Sequence, residues 1–107
     1  MILKGKESVG NGKFEGVVGI VEDFTKDYFE DYDILVCKST NPSSISYMKR
    51  ASAVITDFGS RVSHSFIVCR DNKIPCIVGV LFATLHLRTG DKVTVDFDKK
   101  TIEKVEK

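Results

Sequence analysis

The chain has 107 residues, 42% of them apolar, and balances 16 Lys and Arg against 15 Asp and Glu for a formal net charge of +1. That size supports one domain around one core, and the apolar content is that of a globular protein rather than a disordered one. A near-neutral chain without a basic block lacks a nucleic-acid footprint, and no apolar stretch approaches the ~20 residues of a membrane span.

The first residues, Met1-Ile2-Leu3-Lys4-Gly5-Lys6, are charged too soon for a signal peptide, so the expected compartment is the cytoplasm. Lys13 to Val21 reads as a strand in which Gly16 and Gly19 permit a bulge or a close approach. Asp23 to Asp33 is acidic and aromatic, a loop or a short helix. Ile34 to Cys37 is a short apolar run of the buried-strand type. Asn41-Pro42-Ser43-Ser44 is a turn and helix start with Pro42 near the first helical position, and a helix is expected from Ser43 to Arg50. Ala53 to Thr56 is the next strand and Val62 to Asp71 the next helix, stopped by Asp71-Asn72-Lys73 and Pro75. Cys76 to Val80 is a third buried strand, and Ala83 to Leu87 a brief helical turn or loop. Lys92 to Phe97 and Thr101 to Val105 alternate apolar and polar residues around Asp98-Lys99-Lys100, the pattern of a hairpin. Strand-helix-strand-helix-strand in the middle of the chain implies parallel pairing with right-handed crossovers.

The chemistry-bearing residues gather before the second helix. Asp57-Phe58-Gly59-Ser60-Arg61-Val62-Ser63-His64 links a strand to that helix through a glycine loop. His64 then sits in the first helical turn, beside backbone N–H groups that have no intrahelical acceptor and favour an anion. Position alone favours the plainer reading of a locally bonded histidine. Gly59 suits a turn that needs positive φ. Thr56 is placed to bond the loop backbone. Asp57 either orients His64 through a ring N–H or caps a turn. Arg61, three residues before the histidine, is either a phosphate partner or a solvated loop arginine. Ser63 and Ser65 flank the imidazole and offer hydroxyls to phosphate or to the helix start, and capping is the expected role of Ser60 and Ser63. Arg70, six residues on, points elsewhere by about 240° around the helix and reads as structural. His86, between two leucines, reads as a surface residue.

Cys37, Cys69 and Cys76 are odd in number and lack metal-ligand spacing, which argues against a disulfide framework or a zinc site. Cys37 and Cys76 lie within apolar runs and are expected as buried thiols. Cys69 is turned about 140° from His64 on the helix, so the two do not form a catalytic pair.

The segment around His64 resembles the phosphohistidine site of the phosphoenolpyruvate-utilising enzymes: pyruvate phosphate dikinase, phosphoenolpyruvate synthase and enzyme I of the sugar phosphotransferase system. Gly59, His64, Ser65, Ile67, Val68 and Arg70 fit that pattern. Ser60 stands where glycine or alanine is usual, Val62 where threonine is typical, and Phe66 and Cys69 replace small residues. The resemblance extends through Ile34-Leu35-Val36, Thr40-Asn41-Pro42, Lys49 to Asp57, Ile74 to Gly79 and Thr89 to Asp96, over most of residues 33–105.

The resemblance implies an α/β fold, the swivelling β/β/α domain, in three layers: a central mainly parallel sheet, a second antiparallel sheet, and helices on one face. It makes residues 1–107 a single phosphohistidine domain and His64 the phosphoryl acceptor, with Thr56, Asp57, Gly59, Arg61, Ser63 and Ser65 in support. No glycine-rich nucleotide loop is present, and there is no room for a barrel of ~250 residues. The chain is therefore expected to bind no cofactor or metal itself. It would be a phosphotransferase component, incomplete alone, whose phosphoenolpyruvate or ATP donor, with Mg2+, sits on a separate protein or domain. Dikinase-type control through a threonine two residues before the histidine is not expected, since that position is Val62. The alternative is a non-catalytic regulatory or protein-binding module that keeps the fold, and a third reading is a swivelling domain of a hydratase-like enzyme.

Overall fold

The structure is a computed structural model that describes residues 2–27, 29 and 31–105. Eight strands carry the architecture: β1 (Ile2–Lys4), β2 (Glu7–Val9), β3 (Lys13–Ile20), β4 (Ile34–Cys37), β5 (Ala53–Thr56), β6 (Cys76–Val78), β7 (Lys92–Asp96) and β8 (Thr101–Lys104). A 3-10 turn, Pro42–Ser44, leads into α1 (Ile45–Arg50); α2 is His64–Asn72 and α3 is Ala83–His86. The strand order is β1-β8-β7-β3-β4-β5-β6-β2.

One strand belongs to two sheets. Residues 13–17 of β3 pair antiparallel with β7, and Val18 to Ile20 pair parallel with β4. At the changeover Asp33 Oδ2 accepts the N–H of Val17, and the Asp33 N–H donates back to the Val17 carbonyl. The close approach foreseen at Gly19 is made by Tyr32, which lies 2.7 Å from where a Cβ would stand. The ends of the order are also joined, because β1 and β2 are separated only by Gly5 and Lys6. The Gly5 N–H donates to Lys100, beside β8, and the Lys6 N–H to Val78 of β6. These switches fold the sheets over each other.

β4 and β5 are buried along their whole length, which is why Ile34 to Cys37 and Ala53 to Ile55 read as unbroken apolar runs. Ile34, Val36, Ala53 and Ile55 face the antiparallel sheet and meet Val93, Val95 and Ile102. Leu35 and Val54 face the opposite way, toward Met48 of α1 and Cys69 of α2. Each such aliphatic side chain contributes about 1.5–3 kcal/mol when fully buried. The result is the expected three-layer α/β arrangement, with β3-β4-β5-β6 parallel and β2 antiparallel at the edge. The four-residue α3 lies where a brief helical turn or loop was expected. Its Ala83, followed by Leu87, joins the core between the two sheets.

The helices begin and end where local chemistry directs. Asn41 Oδ1 accepts the Ser43 N–H while Ser44 Oγ accepts the Asn41 N–H, with Pro42 at the first position. Lys73 ends α2 in the left-handed region, φ 56°. β1 and β2 had no sequence signal, being three residues each and only partly buried. The described residues of the stretch 23–33 hold turns and no helix, and Tyr28 and Glu30 lie outside the described residues.

Candidate functional site

Parallel pairing of Cys37 with Thr56 sets the chain after β4 beside the chain after β5. The Asp57 N–H donates to the Cys37 carbonyl and the Phe58 N–H to the Lys38 carbonyl, so the two loops continue the ladder past the strands. Thr56 Oγ1 donates to the Phe58 carbonyl at 2.7 Å, which turns the loop toward α2. At Gly59 φ is +153°, and a Cβ there would lie 2.9 Å from Val78 Cβ and 3.2 Å from Ser63 Oγ. Only glycine fits this corner.

Ser63 is the N-cap residue of α2, but its side chain caps no amide of the helix, contrary to the expected role. Its hydroxyl donates to the Ser60 carbonyl at 2.8 Å and receives the Ser60 N–H at 3.2 Å. The Ser65 hydroxyl lies 3.2 Å away and, with the Ser63 proton committed, is the donor in that contact. Ser65 is buried. The serines therefore tie the loop together, and Ser65 offers no open hydroxyl to a ligand. The Ser60 hydroxyl accepts a long 3.4 Å contact from the Val62 N–H.

His64 opens α2 and is half-buried. Its Nδ1 lies 2.8 Å from Thr40 Oγ1, in the loop after β4. Asp57 is not the residue that orients the imidazole: its two carboxylate oxygens accept the Thr84 N–H at 2.9 Å and the Thr84 hydroxyl at 2.6 Å. This buried carboxylate fixes α3 to the end of β5 instead. Its charge, after burial itself, helps push the Cys37 thiol up to about 12. A hydrogen bond with Cys76, and after it burial, raises the Cys69 thiol as well; all three cysteines are buried and free.

Arg61 projects from the loop and pairs with Glu7 of β2, Nε to Oε1 at 3.2 Å. Lys100 Nζ stands 3.7 Å from the same oxygen. Arg70 pairs with its neighbour Asp71 at 3.2 Å with both side chains exposed, an interaction of little energetic weight. His86 is exposed. A cleft of about 280 Å3, lined by Val21, Glu22, Lys38, Ser39 and Thr84 among others, opens at the carboxyl ends of β3 and β4, and His64 does not line it. Among the described residues no three His, Cys, Asp or Glu side chains converge to hold a metal ion, and no helix is long and apolar enough to cross a membrane.

The site thus unites His64, Gly59, Thr56, Ser63 and Ser65, and adds Thr40, Thr84 and Glu7, which sequence reasoning did not assign to it. In the sequence Thr40 carries no site role and belongs only to the stretch Thr40-Asn41-Pro42 of the family resemblance. The parallel pairing of β4 with β5 is the signal that places it beside the histidine loop.

The PEP-utilising enzyme mobile domain profile matches residues 29–100. The chain is 46% identical over 99 residues to the probable phosphoenolpyruvate synthase of Pyrococcus horikoshii, covering 90% of this chain and 12% of that protein. It is 40% identical over 90 residues to the uncharacterized phosphotransferase YvkC of Bacillus subtilis, covering 83% of this chain and 11% of that one. It therefore spans only 11–12% of the length of these relatives. Among solved structures, Thermococcus kodakaraensis aconitase X superposes with TM-score 0.70 at 24% identity, over 99% of both chains, a likeness of fold alone. A solution structure of Enzyme I superposes with TM-score 0.57 at 26% identity, over 69% of this chain and 31% of that one. On the profile match and these identities, the chain belongs to the family of PEP-utilising enzyme mobile domains.

Proposed function

We propose that this chain is a phosphocarrier domain in which His64 accepts a phosphoryl group and passes it on. One observation carries the reading: Thr40 holds Nδ1 of a half-buried imidazole at the amino end of α2. With the proton on Nδ1 and the Thr40 hydroxyl accepting it, Nε2 keeps its lone pair and is the nucleophile. Amides of the first turn and the helix dipole favour the phosphoryl oxygens beside it. Transfer then asks chiefly for alignment, with Nε2 about 3–3.5 Å from the donor phosphorus.

The donor is phosphoenolpyruvate or ATP with its Mg2+, held by a nucleotide- or phosphoenolpyruvate-binding partner, either a separate protein or another domain. On this reading residues 1–107 are one domain of a cytoplasmic phosphotransferase or kinase system. The test is to supply labelled phosphoenolpyruvate or ATP together with a phosphoenolpyruvate synthase whose own mobile domain is disabled. Label should appear on the chain, acid-labile and alkali-stable, and His64→Ala should abolish it. The chain alone should hydrolyse neither donor.

A second reading rests on Phe58 and Val62, which are 58% and 83% exposed in the histidine loop. Such residues suit a protein-binding module that keeps the fold without the chemistry. A stable complex that survives His64→Ala, with no label from any donor, would favour it.

A further inference from the structure

We propose that Glu7 is a positioning residue for the phosphoryl site, which holds Arg61 in reserve and exchanges it for the phosphoryl group carried on His64. The proposal rests on the phosphocarrier reading and extends it to the edge strand β2, which no sequence pattern connected with the histidine.

The geometry is local. Glu7 pairs across the ladder with Val78, and Val78 is the residue against which the Gly59 corner packs. β2 therefore lies directly beside the loop that carries Arg61. Arg61 sits three residues from His64, with its side chain 75% exposed, and contacts Glu7 at 3.2 Å. An ion pair this exposed is weak and readily exchanged. A phosphoryl dianion on Nε2 offers three acceptor oxygens and a higher charge than one carboxylate, and guanidinium binds it in a two-pronged fashion. Arg61 is thus drawn to whichever anion is stronger.

The exchange leaves no stranded charge. Lys100 Nζ already lies 3.7 Å from the same Glu7 oxygen and is steadied by the Lys6 carbonyl at 3.2 Å. When Arg61 leaves, Lys100 retains Glu7. In the unphosphorylated state Glu7 keeps Arg61 off the site, and in the phosphorylated state Arg61 pairs with the phosphoryl group.

The test uses the whole chain and phosphoramidate, a small-molecule donor that needs no partner protein. Its P–N bond breaks, the phosphoryl group passes to an imidazole nitrogen, ammonia leaves, and the imidazole N–H proton goes to solvent. The exposed His86 reports intrinsic imidazole reactivity in the same molecule, so the readout is the rate at His64 relative to His86, mapped by peptide analysis. Glu7→Gln should raise that ratio roughly two- to fivefold, the exchange range of an exposed ion pair. Arg61→Gln should lower it, and the double variant should match Arg61→Gln alone. Thermal unfolding of each variant checks that the fold is kept.

An unchanged ratio in Glu7→Gln overturns the proposal. So does a gain that persists when Arg61 is also replaced, since simple repulsion by Glu7 would then explain it. If His64 is labelled in no variant while His86 is, the phosphocarrier reading itself fails and takes this proposal with it. Label on His64 that ignores Glu7 removes the proposal and leaves the reading standing.

Discussion

Thr40 Oγ1 and His64 Nδ1 are 2.8 Å apart although 24 residues separate them in the chain. This bond sets the ring orientation and engages Nδ1, and the proposed phosphocarrier role has Nε2 react. Thr40→Val removes the hydroxyl at nearly constant volume. It should slow phosphoryl acceptance by about 3- to 10-fold, the worth of one hydrogen bond, and Thr40→Ser should restore most of the rate. The measurement is the initial rate of labelling from a common donor at fixed pH. Equal rates for the three proteins would leave the imidazole oriented by something else.

Gly59→Ala places a methyl group 2.9 Å from Val78 Cβ at a φ of +153°. Backbone strain of this kind costs about 1–3 kcal/mol. Urea unfolding should show the loss as a lower midpoint with an unchanged slope, and labelling of His64 should fall further than stability alone explains, because the loop before α2 must move.

Asp57 bears on stability rather than on the imidazole. Asp57→Ala strands the Thr84 N–H and hydroxyl and frees α3 from the end of β5. The expected loss is about 2–4 kcal/mol for charge-assisted bonds in a buried setting. Amide exchange at residues 83–87 should quicken more than exchange in α2. Greater loss of protection in α2 would mean that Asp57 supports the histidine after all.

Burial raises the Cys37 thiol from its ordinary 9.0 to about 12. A thiol whose folded pKa is raised holds its proton longer when folded. Its contribution to stability is therefore complete below pH 9 and is lost as pH climbs through the window to 12. The slope approaches about 1.4 kcal/mol per pH unit for one proton. The stability difference between the chain and Cys37→Ala should shrink above pH 9. A difference that stays flat would show that Cys37 keeps an ordinary thiol.

The order of elements was legible because the core strands are short apolar runs between strong turn signals. Asn41-Pro42, Asp71-Asn72-Lys73 and Pro75 punctuate the chain where the structure does. The edge strands β1 and β2 escaped notice because partial burial leaves no alternating pattern in three residues. At the site, Gly59 and the placement of His64 at the start of α2 follow from local sequence. The partners of His64, Asp57 and Arg61 do not, for they come from Thr40, Thr84 and Glu7, 24 to 54 residues away. The parallel register of β4 on β5 brings Thr40 to His64, the return of β2 to β6 brings Glu7 to Arg61, and the chain after β6, whose Val80 N–H donates to the Thr56 carbonyl, brings Thr84 to Asp57.

The most direct measurement is phosphorus NMR of the chain after reaction with a family donor, with parallel samples of His64→Ala and Thr40→Val. The account predicts one phosphoramidate resonance with the shift of an Nε2-linked phosphohistidine, absent in His64→Ala and slower to appear in Thr40→Val. A folded chain that shows no such resonance with any donor, or a phosphoryl group on Nδ1, would contradict it.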